Sequence, residues 1–188
     1  FTAKGKTVKF LMNAGIFEPG GIPSGIHVEA CKEWLPLNER AGEGNFFLKP
    51  NGVVSFWKGG HGGPVISPLE GWKTRVQLAK KSRDYRHTEF AAQSGPLLLI
   101  SGQRHPAFRR NSENKLHRNG IGVDAEKRFV CAITGTGEVV NFWDFAGLFL
   151  SLGCQNAQFL DGDISQMAVN PDKPVESNQF GAMFVVAE

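Results

Sequence analysis

The stretch NFWDFAGLFLSLGCQNAQFLDGDIS, Asn141–Ser165, reads as a helix, a strand and a polar turn in direct succession. Phe142, Phe145, Ala146, Phe149 and Leu152 recur at helical spacing, which predicts a helix over Phe142–Leu152 with one apolar face. Asn141 stands where an N-cap belongs, Asp144 falls in the first turn, and Gly153 marks the stop. Gln158–Leu160 then reads as a strand, and Asp161-Gly162-Asp163-Ile164-Ser165 is the loop at its end.

Working outward, short apolar or alternating runs predict further strands at Thr7–Met12, Ile26–Ala30, Val53–Trp57, Leu97–Ile100, Ile121–Asp124, Phe129–Ile133 and Met183–Ala187. The turn signal Pro50-Asn51-Gly52 suits a hairpin between Phe46–Leu48 and Val53–Trp57. Ala125-Glu126-Lys127 suits a second hairpin between its flanking runs. A less regular helical pattern covers Gly71–Ser82. Many short strands with few helices describe an α+β fold, and 188 residues suit one domain, 1–188.

Composition narrows the function classes. Phe is used 15 times against one Tyr, so aromatic packing should dominate the core. The 23 glycines, including the cluster Gly59–Gly63, indicate tight turns and close backbone approaches. A net charge of +3 is mild, and the basic residues Lys73, Lys80, Lys81, Arg83 and Arg86 read as a solvated face. Nucleic acid is not an expected partner, because no concentrated basic stripe interleaved with aromatics is present. Cys31, Cys131 and Cys154 form no CxxC, and His27, His61, His87, His105 and His117 show no HExxH spacing, so neither a metal nor another cofactor is expected. Phe142–Leu152 is too short to span a membrane and contains Asp144. The chain begins at Phe1 without Met, which suggests a removed leader and a periplasmic or extracellular location. No Asn-x-Ser/Thr acceptor occurs.

Two familiar motifs fail on context. Gly5-Lys6-Thr7 is followed by a β-type run, whereas a phosphate loop requires a helix there, and the nucleophile elbow GxSxG is absent. What remains is a set of polar-glycine clusters placed near strand ends. They are Asn13-Ala14-Gly15, Lys49-Pro50-Asn51-Gly52, Gln93-Ser94-Gly95-Pro96, Arg118-Asn119-Gly120 and Asp161–Ser165. Each alone is a turn; together they suit a ligand, since glycine lets backbone amides approach it and the neighbouring polar side chains supply directional bonds.

Blocks of these residues resemble the phosphodiester glycosidase family, that of the N-acetylglucosamine-1-phosphodiester α-N-acetylglucosaminidases. NAGIF at Asn13–Phe17 with Pro23-Ser24-Gly25-Ile26 is similar to the family's opening block. GNFFLKPNGV at Gly44–Val53, AAQSGPLL at Ala91–Leu98, HPAF with RNGIGV (His105–Phe108 and Arg118–Val123) and LGCQNAQFLDGDIS at Leu152–Ser165 resemble the later ones in order. The likeness runs from about Val8 to Val186 and is strongest to the small bacterial branch. The animal branch usually has a glycine- and serine-rich string where this chain has Asp163-Ile164-Ser165.

The resemblance implies hydrolysis of a sugar-1-phosphodiester, with a small-molecule or glycan substrate. Glycoside cleavage ordinarily uses two carboxylates, but a phosphate leaving group needs less acid assistance, so one carboxylate with cationic phosphate binders could suffice. Asp161 is the leading candidate for that carboxylate, with Glu18 and Asp163 behind it. Arg118 is expected to bind phosphate through its two-pronged guanidinium, with Lys49 as a supporting point charge. Asn13 and Gln93 are expected to orient sugar hydroxyls, and Gly15, Asn51, Ser94, Gly95, Asn119, Gly162 and Ser165 to complete the pocket. Two other readings fit the same residues: a silent carbohydrate- or nucleotide-binding domain, and a hydrolase of other phosphodiesters such as nucleotide sugars.

Overall fold

The computed structural model describes residues 5–58, 62–81, 88–173 and 180–188. His61, His87, Arg83, Arg86, Ser82 and most of the Gly59–Gly63 cluster lie outside them.

Among the described residues, four sheets and two α-helices form the α+β fold. The first five-stranded sheet has the order β5-β4-β8-β6-β7, built from β4 (His27–Glu29), β5 (Lys32–Leu35), β6 (Gly52–Trp57), β7 (Gly63–Pro68) and β8 (Thr88–Ser94). The second has the order β10-β9-β13-β11-β12, from β9 (Leu97–Ile100), β10 (Gln103–Arg104), β11 (Asn119–Val123), β12 (Phe129–Ile133) and β13 (Asn156–Phe159). A three-stranded sheet sets β1 (Val8–Asn13) between β14 (Met167–Val169) and β15 (Met183–Ala187), and β2 (Phe17–Glu18) pairs with β3 (Ile22–Pro23).

The alternation of strand side chains separates three cores. Val53 and Ala91 face Trp57, Trp72 and Ile26 under helix α1 (Leu69–Lys81). Their neighbours Val54 and Ala92 face the other way, against Leu97, Ile121, Met12 and Leu160 between the sheets. Leu98, Ala157 and Phe159 pack beyond, against Phe145, Ala146 and Phe149 of helix α2 (Phe142–Ser151). The layers therefore run helix, sheet, sheet, helix. RNGIGV owes its glycines to this packing. A Cβ on Gly120 would sit 3.1 Å from a ring carbon of Phe145, and one on Gly122 2.8 Å from Phe149.

Helix α2 starts as its sequence dictates. Asn141 Oδ1 accepts from the Asp144 amide at 2.8 Å, and Gly153 follows the helix at φ +77°. Leu152, expected on the buried face, is instead 47% exposed, because the helix ends at Ser151 and Leu152 is its C-cap, off the helical spacing. The hairpin across Ala125–Lys127 is present as β11–β12. The hairpin with Phe46–Leu48 is not: Asn45–Phe47 is a 3-10 turn, and β6 pairs with β7 and β8. Phe46 is buried as a packing side chain and makes no ladder. No described helix is long and apolar enough to cross a membrane.

Candidate active site

Strand register gathers the site at one end of the strands of the second sheet. Gly120 of β11 lies opposite Phe159 of β13, and Asn119 lies opposite Ile133 of β12. His117 and Arg118 before β11, Thr134 after β12 and Leu160–Asp163 after β13 therefore meet. Asn13 arrives from the end of β1 in another sheet.

Asn119, fully buried, fixes the turn after β13. Its Oδ1 accepts from the amides of Asp161 (2.8 Å) and Gly162 (3.1 Å), and its Nδ2 donates to Asn13 O at 3.0 Å. Gly162 holds φ +103°, a conformation costly for any residue with a Cβ, and its amide also reaches Ser165 Oγ at 2.9 Å. Asn13 Nδ2 donates to Asp161 Oδ2 at 3.2 Å, while Asn13 Oδ1 accepts from the Gln166 amide at 3.0 Å. Asp161 is half-buried, and burial pushes its carboxyl up to about 6 although the Asn13 amide pulls it the other way. A carboxyl poised there can exchange protons near neutral pH.

Arg118 is placed differently from the expectation. It is 0% exposed, with Nε donating to Val140 O at 2.7 Å and Nη2 to Asn114 O at 3.1 Å. Its Cζ lies 3.6 Å over the Phe142 ring, which stacks on Phe108 at 4.9 Å, which stacks in turn on His105 at 4.8 Å. The HPAF block is thus the far end of a column that carries the guanidinium. Nη1 has no hydrogen-bond partner among the described residues, and with the rest of the guanidinium engaged and buried a two-pronged grip on a diester is not available to this side chain. Burial pulls the guanidinium down to about 10, Asp163 opposes the shift, and the group stays charged at neutral pH. A desolvated cation over an aromatic ring is worth about 2 kcal/mol.

Beside this buried charge opens a cleft of about 350 Å³ lined by His117, Asp163, Glu138 and Val139 among others. His117 Nδ1 meets Thr134 Oγ1 at 2.7 Å, and that hydroxyl accepts from the Arg118 amide at 2.9 Å. His117, Thr134 and Glu138 were not singled out from sequence, and only the adjacency of His117 to Arg118 hinted at one of them.

The other expected ligands are mostly consumed by the fold. Gln93 cannot orient a sugar: its Oε1 accepts from the Ile26 and Asn38 amides and its Nε2 donates to Asn38 O. Ser94 Oγ donates to Leu160 O at 2.7 Å, and Asn51 Nδ2 donates to Phe46 O at 2.9 Å; both side chains are buried. Gly15 and Gly95 are close-packing positions; a Cβ on Gly15 would lie 2.7 Å from Gln93 O. Lys49 Nζ donates to Glu39 O at 2.7 Å, and exposed Glu18 accepts from Ser24 Oγ at 2.9 Å. Among the described residues no three His, Cys, Asp or Glu side chains are grouped to hold a metal ion.

Three comparisons bear on this arrangement. A family model described as phosphodiester glycosidase matches residues 6–186. The uncharacterized protein YigE of Escherichia coli K12 is 32% identical over 161 residues, which is 85% of this chain and 58% of that protein. The chain therefore spans less than two thirds of that relative. Among solved structures, the catalytic domain of zebrafish N-acetylglucosamine-1-phosphodiester α-N-acetylglucosaminidase, auto-inhibited by its pro-peptide, superposes with a TM-score of 0.59 at 16% identity. That match covers 99% of this chain and 63% of the zebrafish one, and it shows a shared fold.

Proposed function

The chain belongs to the phosphodiester glycosidase family, and from that premise we propose that it hydrolyses a sugar-1-phosphodiester, releasing free sugar and leaving the phosphate on the acceptor. The observation that carries the reading is the Asp161 carboxyl, lifted to about 6 by burial and braced by Asn13 just after the end of β13.

In this reading Asp161 takes the proton of the water that attacks the anomeric carbon. The phosphate departs as a weaker base than an alkoxide, so the acid that assists it need not be a second carboxylic acid. Arg118 assists through its field: a charge fixed in a poorly solvated place acts over a few ångströms without touching the ligand. Asn13, Asn119 and Gly162 are positioning residues for the Asp161 turn.

N-acetylglucosamine is the first sugar to try, by analogy with the name of the zebrafish enzyme. The test is incubation with an N-acetylglucosamine-α-1-phosphodiester and identification of the products by chromatography. Free sugar with a phosphorylated acceptor supports the reading. Sugar-1-phosphate places cleavage on the acceptor side and overturns it, and saturable binding without products makes the domain a binding module.

A further inference from the structure

We propose that His117 is the side chain that meets the substrate phosphate, donating from Nε2 to the oxygen that bridges phosphorus and the sugar. The donor role rests on the glycosyl-phosphodiester reading above; the contact with phosphate does not.

The argument begins at Thr134. Its hydroxyl oxygen accepts from the Arg118 amide at 2.9 Å, so the hydroxyl proton is free to go elsewhere. Two acceptors are in reach: His117 Nδ1 at 2.7 Å and Arg118 O at 3.4 Å. The short bond to a neutral imidazole nitrogen is the better one, and it leaves the ring proton on Nε2. Should the ring take a second proton, Nδ1–H donates to Thr134 and the hydroxyl turns to the Arg118 carbonyl. The one hydroxyl therefore accommodates both protonation states, as an acid-base group requires.

Position agrees with this. With the Nδ1 edge against Thr134, the Nε2 edge is left for the cleft that His117 lines. Asp163 and Glu138 share the cleft, and Arg118 lies buried beside it. The carbonyl of His117 lies 3.5 Å from where a Cβ on Gly162 would stand, so the Asp161 turn rests on the His117 backbone. Two carboxylates repel a phosphate, and Arg118 has no exposed atom to offer it; of the side-chain donors lining the cleft, His117 and Thr136, only the imidazole can also pass on a proton.

The chemistry is matched. When the C1–O bond breaks, its electron pair stays on the bridging oxygen, which becomes an oxygen of a phosphate monoester. Such a monoester takes its second proton near pH 6, so a donor held at that oxygen can supply it as the bond breaks. Water forms the new bond to C1 and gives one proton to Asp161; Asp161 then releases that proton to solvent and His117 takes one from it, so the proton count closes.

The experiment has two arms. In the first, the His117 ring signal is followed by ¹H–¹³C NMR, assigned by its absence in His117→Gln, while N-acetylglucosamine 1-phosphate is titrated in. A saturable shift is expected, smaller on titration with free N-acetylglucosamine. In the second, His117→Gln is expected to lower kcat on the phosphodiester about 100-fold or more with an unchanged Tm. A ring signal that ignores saturating sugar phosphate overturns the contact. Turnover within a few-fold of wild type overturns the donor role. A shifting ring signal in a wild-type protein that releases no sugar would sink the hydrolase reading and leave the phosphate contact standing.

Discussion

The side-chain amide of Asn13 donates to the Asp161 carboxylate at 3.2 Å across 148 residues of sequence. This bond ties the first strand of one sheet to the turn after β13 in another. It gives the carboxylate a directional partner while burial works against its charge. Activity and stability are therefore opposed at this residue.

Asp161→Asn tests that opposition. Asn keeps an oxygen to accept from Asn13 but carries no charge. Turnover is expected to fall about 100-fold or more, on the scale of a lost general base. Because the folded carboxyl sits near 6 against an ordinary 3.8, the native state binds its proton more readily than the unfolded chain does. The wild type thus loses stability as pH rises from about 3.8 through 6. Calorimetry should find Asp161→Asn more stable than wild type at pH 7 and equal to it below pH 3.8. A variant less stable than wild type at pH 7 would contradict the burial argument.

The same carboxyl sets the rate profile. As a base it must be ionised, so kcat/KM should climb as pH rises through about 6 and fall away below it. The acid limb should vanish in the residual activity of Asp161→Asn. A limb that persists there belongs to another group.

Arg118→Lys separates a buried structural cation from a surface ligand. Lysine cannot reproduce both the Nε bond to Val140 O and the Nη2 bond to Asn114 O. Leaving such carbonyls unpaired costs about 1–3 kcal/mol, or roughly 2–10 °C in Tm for a chain of this size. Thermal unfolding checks it, and an unchanged Tm would mean that the column of Phe142, Phe108 and His105 does not depend on the guanidinium.

Asn119→Ala should release the turn without touching Asp161 itself. The amides of Asp161 and Gly162 lose a shared acceptor, and Asn13 O loses its donor. Stability is expected to fall by about 1–3 kcal/mol, with faster hydrogen exchange at those two amides. Unchanged exchange would show that the turn is held from elsewhere.

Much of this fold was legible from residues alone, and the reasons are local. The Asn141 cap, the spacing of Phe142, Phe145 and Phe149, and the β11–β12 hairpin are decided within a few residues of sequence. Asp161 could be placed after a strand for the same reason. The roles of Gln93, Asn119 and Arg118 could not be read this way. A polar residue beside glycine has the same composition whether its amide faces a ligand or closes a buried bond. Only the packing of distant strands decides which, as when Gln93 closes on Asn38. Likewise the His117–Thr134 pair exists only because β11 and β12 are in register.

The account turns on which bond breaks, and hydrolysis in ¹⁸O-labelled water reads that directly. Cleavage between the anomeric carbon and oxygen places the label in the released sugar and none in the phosphate, as detected by mass spectrometry of both products. That is the predicted result, with incorporation lost in Asp161→Asn. Label in the phosphate, with sugar oxygen unlabelled, would mean attack at phosphorus and would contradict the glycosidase reading of this site.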